Sequence, residues 1–321
     1  MRIELENKRT LLTAETFSEL IGNEMSHIQS PVILEINGVQ RLYFCSRVIS
    51  ENVNGNYSSH IYFVDYDETF SKILGYSTKP IVELGAIGTF DEHGTNPISA
   101  VKFRDNVFIY YVGWARSVDV PYTANIGLLK STDPEASQFE RAFPGPVMPF
   151  DRDEPFLLGS PRVKEFNGSL YMWYVAGKSW NLINERPEPT YKIRMAISRD
   201  GSTWTKIKKD LIGDTLGEFE CQAAPEVIQL EAGFLMIYSY RSNEREGVDS
   251  DYQINIAYSD DLLNWEVENV KNSRNYIPLN MRNTSYYNLV PAEGCFRATF
   301  QLENMGKSGI GSGLLRVSER K

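Results

Sequence analysis

An all-β chain folded as a five-bladed β-propeller is what this sequence predicts, and three observations carry the prediction. Five prolines, Pro31, Pro97, Pro161, Pro225 and Pro291, recur at intervals of 66, 64, 64 and 66 residues. Each opens a similar phrase of an apolar run, a tight polar turn and an aromatic-rich run: PVILEINGVQRLYFCSR, PISAVKFRDNVFIYYVGW, PRVKEFNGSLYMWYVAG, PEVIQLEAGFLMIYSYR and PAEGCFRATF. Their period-two patterning and their enrichment in β-branched and aromatic residues specify hairpins rather than helices. A third apolar run then follows each hairpin, as HIYFVDYDE, NIGLLKSTD, IRMAISRD, INIAYSDD and GSGLLRVSE. In the first four, Asp67, Asp133, Asp200 and Asp261 stand 36, 36, 39 and 36 residues after their prolines. The unit is therefore a meander of three or four antiparallel strands repeated five times, and radial repetition is how such units protect their edges.

Taken in order, the blades span residues 24–70, 90–140, 154–207, 218–268 and 284–319, within one domain covering 1–321. The fifth unit ends almost at the last residue, so it lacks an outer strand. The N-terminal segment, residues 1–15, is expected to supply that strand through residues 2–4 or 10–13, because an open edge there would template aggregation. The turns at Asn37-Gly38, Asn167-Gly168 and Ala232-Gly233 have hairpin chemistry and carry nothing reactive.

Composition narrows the function. With 42 Asp and Glu against 33 Lys and Arg, the net charge of -9 argues against a nucleic-acid surface and favours a neutral or cationic ligand. The start, MRIELENKRT, has no apolar signal core, and no run of about 18 apolar residues could span a membrane, so a cytoplasmic protein with no membrane partner is expected. Cys45, Cys221 and Cys295 form neither a paired framework nor a metal spacing. No cofactor is expected. A metal is unsupported beyond the weak candidacy of His27 and His93, which stand four residues before their prolines.

In a meander of this kind, the loop before each proline and the loop after each aromatic strand share a face, and function belongs where those long loops converge. Aligned on the prolines, Glu92 and Glu220 both lie five residues upstream, with Gln29, Gln222, Asn96 and Asn288 closer in. Carboxylates, amides, histidines and aromatics converging on a pocket describe a carbohydrate site: carboxylates move protons, amides bind hydroxyls and aromatic faces stack on the sugar ring. Solvated loop residues are the competing explanation for any single carboxylate. Trp114 and Trp180, at the ends of aromatic strands, are the stacking candidates, with Tyr286 and Tyr287. Trp173, Trp204 and Trp265 occupy repeat positions that belong to packing, and His60 is a packing or capping residue.

The phrases SRDGSTW and SDDLLNW, the pair Glu220-Cys221 before an inner strand and the fivefold repeat resemble the five-bladed propeller glycosidases, glycoside hydrolase families 43, 32, 68 and 130. The segment GTFDEHGTNP resembles an uncharacterised branch of that superfamily. The resemblance implies a glycoside hydrolase-like enzyme, and the expected cytoplasmic location points to a small intracellular glycoside, an oligosaccharide or an activated sugar as its substrate. It implies Glu220 as general acid, Asp91 or Glu92 as the opposing base, and Glu154, Asp91 or Glu92 as the third, pKa-tuning carboxylate, with His93 able to share that task. The sequence departs from the pattern at the first inner strand, where families 43 and 32 carry an Asp and this chain reads HIQSP. Family 130 phosphorylases manage with one carboxylate and a basic phosphate pocket, which Arg47, Arg162 and Arg241 could build. Two alternatives therefore stand beside hydrolysis: a propeller that binds a glycan without cleaving it, and a glycoside phosphorylase or glycosyl-transferring enzyme.

Overall fold

The computed structural model describes residues 2–49, 57–244, 252–267, 281 and 284–318. It is nearly all β. The strands are β1 (Arg2–Leu12), β2 (Ser26–Ile36), β3 (Val39–Ile49), β4 (Tyr57–Tyr66), β5 (Ile73–Tyr76), β6 (Gly94–Phe103), β7 (Asn106–Arg116), β8 (Tyr122–Ser131), β9 (Phe139–Arg141) and β10 (Leu158–Phe166). They continue as β11 (Ser169–Ile183), β12 (Arg186–Ser198), β13 (Thr205–Lys206), β14 (Glu220–Gln229), β15 (Phe234–Ser242), β16 (Gln253–Ser259), β17 (Glu266–Val267), β18 (Ser285–Ala292), β19 (Cys295–Gln301) and β20 (Ile310–Ser318). Two short helices complete the set, α1 (Ala14–Ile21) and α2 (Glu303–Gly306). No helix among the described residues is long and apolar enough to cross a membrane.

The strands pair as antiparallel meanders. One sheet runs β10-β11-β12-β13 and a second β14-β15-β16-β17. An eight-stranded sheet consists of the meanders β2 to β5 and β6 to β9, joined by one parallel bridge between Ser59 and Gly94. In the remaining sheet, order β1-β20-β19-β18, the N-terminal strand lies antiparallel along β20 with Ile3 opposite Val317 and Leu5 opposite Leu315.

Local chemistry explains these elements. Asn37-Gly38 and Asn167-Gly168 both hold positive φ, at 50° and 83° and at 52° and 73°, as tight hairpin turns demand. The aspartates that close each third strand cap the turn to the short fourth strand. Asp200 Oδ1 accepts from the Ser202 and Thr203 amides, and Asp261 Oδ1 from those of Leu263 and Asn264. Thr13 caps α1 by accepting the Thr16 amide, and the helix buries Phe17 edge-on against Phe44.

Apolar side chains form five clusters, each between two neighbouring meanders. Tyr111 and Phe63 belong to the cluster between the first and second, Tyr110 and Met172 to that between the second and third, Trp173 and Tyr238 to the third and fourth, and Leu235 and Phe300 to the fourth and fifth. Phe44, Leu12 and Ile310 lie together between the first meander and the sheet that holds both chain ends. Inner strands bond across these seams. The Ile33 amide donates to Asn288, Ser99 to the Val163 carbonyl, Lys164 to Glu226, and the Leu289 amide to Glu226.

The prolines sit inside the inner strands rather than at their starts. Register shifts fall between Gln29 and Val32, between Gly159 and Arg162, and between Ala223 and Glu226, so Pro31, Pro161 and Pro225 occupy β-bulges. A bulge is where a residue without an N–H can enter a ladder. The preceding residues, Ser30, Ser160 and Ala224, take φ of 55°, 45° and 47°. In the fifth meander the shift falls between Ser285 and Asn288, and Tyr286 has φ 54°, whereas Pro291 pairs regularly with Phe296. In the second meander Pro97 pairs regularly with Tyr111 and the shift falls after it, before Ser99; in the fifth, the place of Pro31, Pro161 and Pro225 belongs to Tyr287, with Tyr286 in that of the preceding residue.

Candidate functional site

The bulges re-aim inner-strand side chains into a cavity of about 530 Å³. Ser30, Asn96, Ser160 and Tyr286 reach it from inner strands; Arg47, Trp114, Arg116 and Arg241 from the ends of aromatic strands; Tyr57, Tyr122, Tyr191 and Tyr252 from the starts of third strands. Glu188 enters from the long β11–β12 hairpin, and it is the single carboxylate lining the cavity among the described residues.

Its polar groups are held in place. Trp114 Nε1 donates to Ser59 Oγ at 2.7 Å, and that hydroxyl donates to Asn96 Oδ1 at 2.7 Å. A Cβ at Gly94 would overlap the Trp114 indole, so a glycine is required at the bridge that joins the first two meanders. Arg47 Nε donates to Gln29 Oε1 at 2.9 Å, and its guanidinium lies 4.3 Å from the Tyr57 ring centroid. The Arg116 guanidinium sits 5.2 Å from the Trp114 ring and 5.8 Å from Tyr57, and donates to the Tyr57 carbonyl. Arg241 lies 5.3 Å from the Tyr252 ring and 3.6 Å from Glu188. Burial pushes the Tyr191 and Tyr252 phenols well above their ordinary pKa, so both hydroxyls, which touch one another, stay neutral at physiological pH.

Of the residues singled out in the sequence, Arg47, Asn96, Trp114, Arg241 and Tyr286 meet in this cavity. Gln29 stands behind Arg47, and the His93 ring stacks at 26° on Trp114 with centroids 6.1 Å apart. Trp180 meets the cavity residue Tyr122 edge-on at 5.5 Å. The remaining predicted residues lie elsewhere. Arg162 is 2% exposed, with its Nε 2.8 Å from Glu226 on the neighbouring inner strand, and Tyr287 stacks on Phe300 in the seam between the fourth and fifth meanders.

The four carboxylates expected to do chemistry are engaged by their own surroundings. Asp91 accepts from Tyr111 Oη and from Arg141 Nε, both at 2.8 Å. Glu154 accepts from Tyr174 Oη at 2.7 Å and pairs with Arg194 at 2.9 Å and Lys206 at 2.7 Å. Glu220, fully buried, accepts from the Thr215 and Leu216 amides at 2.6 Å, while Gln222 Nε2 donates to its other oxygen at 2.9 Å. Glu92 accepts from the Gly88 amide at 2.8 Å and lies 3.4 Å from His93 Nδ1. Structural equivalence thus runs through Asp91, Glu154 and Glu220, each facing the aromatic-strand tyrosine of its own meander, Tyr111, Tyr174 or Tyr238. Burial, then the facing carboxylate, raises each of those phenols. Loop lengths differ by a residue or two, so a fixed offset from the proline paired Glu220 with Glu92 instead.

His27 and His93 are held apart in function. His27 is lowered in pKa by burial and by the neighbouring Arg47 and Lys307 charges, and His93 belongs to Glu92 and Trp114. Among the described residues no three His, Cys, Asp or Glu side chains gather as a metal-binding group. Arg116, Tyr57 and Glu188 went unrecognised in the sequence. A signal existed for Arg116, which lies at the end of its aromatic strand as Arg47 and Arg241 do; Glu188 lies in the hairpin where β11 and β12 stay paired as far as Ile183 and Arg186.

Comparison with known proteins places this architecture. Solved structures similar to it include a glycoside hydrolase (TM-score 0.66, 14% identity, 96% of this chain and 98% of the other). An endo-arabinase from Bacteroides thetaiotaomicron gives TM-score 0.60 at 13% identity over 92% and 95%, and a thermostable family-43 glycoside hydrolase 0.58 at 15% over 91% and 88%. At these identities the likeness is one of fold, and this chain shares the fold of these glycoside hydrolases. No protein-family model matches. Two Mycobacterium tuberculosis proteins, the uncharacterized protein Rv1502 of strain H37Rv and the uncharacterized protein MT1551 of strain CDC 1551, are each 33% identical over 242 residues, 75% of either chain. This chain belongs to their family.

Proposed function

We propose that the five meanders are the blades of a closed propeller, with residues 24–70, 90–140, 154–207, 218–268 and 284–319 as blades and β1 as the outer strand of the fifth. Five interblade clusters and the β1–β20 pairing support that reading. On this scaffold the protein is a glycosidase-like carbohydrate protein whose ligand is a small sugar bound in the central cavity. One observation carries it: the loop-bearing ends of the blades converge on a cavity lined by an indole, phenol rings, an amide and hydroxyls, the set that stacks on and hydrogen-bonds a sugar. Glycoside hydrolases of the propeller type among the similar structures add support.

Two-carboxylate hydrolysis needs a pair of acids flanking the bond, about 5–5.5 Å apart for retention or roughly 6.5–9.5 Å for inversion. Among the described residues the cavity offers Glu188 alone, so we assign it the proton-transferring role in place of Glu220. A lone carboxylate that already has Arg241 at 3.6 Å as its partner favours a second reading, a glycan-binding propeller without turnover, because no opposing acid lines the cavity among the described residues. Turnover of a panel of glycosides and oligosaccharides, with and without phosphate, separates them. Product that disappears in Glu188→Gln and persists in Glu220→Gln supports Glu188 catalysis. Saturable sugar binding with no product from any substrate supports the binding reading. Product that disappears in a folded Glu220→Gln and persists in Glu188→Gln would restore the sequence-based assignment.

A further inference from the structure

The cavity's charge runs opposite to that of the molecule. The chain carries a net -9, yet three guanidiniums line this one cavity against a single carboxylate. Elsewhere, buried cations have close carboxylate partners: Arg41 with Asp65 at 2.7 Å, Arg194 with Asp210 at 2.7 Å, Arg162 with Glu226 at 2.8 Å. Burying a cation is costly without such pairing, and the cavity arginines are half-buried rather than fully buried. Glu188 serves Arg241 on the side of the third and fourth blades. On the side of the first and second blades, Arg47 and Arg116 have no ion pair among the described residues. Both are held against one ring, Tyr57, at 4.3 and 5.8 Å, and Arg116 Nη1 is buried without a hydrogen-bond partner. Two like charges set beside one aromatic face repel, unless an anion bridges them.

Building on the carbohydrate reading, we propose that the sugar taken by this cavity carries a phosphate group, which Arg47 and Arg116 bind beside Tyr57 while Trp114 and Asn96 hold the sugar. Guanidinium forks match phosphate oxygens in pairs, and such charge-assisted bonds are about twice as strong as neutral ones. The unpaired Arg116 N–H gains an acceptor, and the sugar reaches from this end toward Glu188 at the other. A neutral or cationic ligand, the expectation from net charge, would leave both guanidiniums uncompensated.

Calorimetric titration of the full chain tests this with a panel of hexose and pentose phosphates, the matching methyl glycosides, and inorganic phosphate. The account expects at least one sugar phosphate to bind about tenfold or more tighter than its neutral counterpart. That preference should weaken with rising salt, disappear in Arg47→Gln and Arg116→Gln, and be only partly restored by Arg116→Lys. Thermal denaturation of each variant establishes that it is folded, and the neutral glycosides remain as a control ligand. Equal binding of phosphorylated and neutral sugars, or a preference that survives both substitutions, would overturn the phosphate assignment and leave the carbohydrate reading standing. Tight binding of inorganic phosphate that matches every sugar phosphate would overturn a sugar-borne anion in favour of free phosphate. No binding of any member of the panel would overturn both readings.

Discussion

The seams between blades and the cavity at their centre use the same side chains to opposite ends. In the seams, carboxylates have cationic partners close by: Glu154 meets Tyr174, Arg194 and Lys206, and Glu226 meets Arg162 and Lys164. In the cavity, Arg47 and Arg116 are held by aromatic faces and neutral acceptors, with no acid beside them among the described residues. A charge paired with an opposite charge across a seam serves structure; a half-exposed charge held only by rings and neutral acceptors is open to a ligand. The difference teaches that a buried acid on a loop of the functional face is not thereby catalytic.

The comparison can be broken by substitution. Glu226→Ala strands Arg162, which is 2% exposed, and should cost about 3–5 kcal/mol in urea unfolding. Replacing Arg162 and Glu226 together by apolar residues of similar volume should recover most of that loss; no recovery would mean the pair is not the source. Glu154→Gln should cost roughly 2–3 kcal/mol, since Arg194 retains Asp210 and Lys206 retains Asp151, and ligand affinity should hold. Arg241→Met should change stability by no more than about 1 kcal/mol, because its 3.6 Å ion pair is partly exposed, while weakening the ligand. A stability loss equal to that of Glu226→Ala would erase the distinction between seam and cavity.

The smallest effect is on acid stability. Asp67 is held at a pKa of about 2, chiefly by the Ser71 hydroxyl and also by the Ser71 and Lys72 amides. Its folded pKa lies below the unfolded value of about 3.9, so its contribution is complete above that value and is lost as pH falls toward 2. Asp67→Ala should therefore lower the urea midpoint at pH 5 slightly and flatten its fall between pH 4 and pH 2. An unchanged acid limb would remove Asp67 as a contributor.

Much of the fold was legible because the repeat is written in apolar periodicity and turn chemistry, both local. The hairpins around Asn37-Gly38 and Asn167-Gly168 and the aspartates closing each third strand follow directly from their residues. The site was less legible because it depends on which way a bulge turns a side chain. Pro31, Pro161 and Pro225 mark bulges, but Pro291 does not, and of the two tyrosines named together in the sequence Tyr286 lines the cavity while Tyr287 packs in a seam. Arg162 looked equivalent to Arg47 in composition, yet it lies on an inner strand facing Glu226 rather than at the end of an aromatic strand. Glu188 depends on how far β11 and β12 stay paired, a length that the apolar periodicity does not encode.

The most direct test of the division between seam and cavity is to measure unfolding free energy and sugar-phosphate affinity together for Glu220→Gln and Glu188→Gln. The account predicts that Glu220→Gln loses about 1–3 kcal/mol of stability and keeps its affinity, as weakening of a buried hydrogen-bonded carboxylate requires. It predicts that Glu188→Gln keeps its stability and changes its affinity. A Glu220→Gln protein of full stability that no longer binds the ligand, beside a Glu188→Gln protein that binds as wild type, would contradict it.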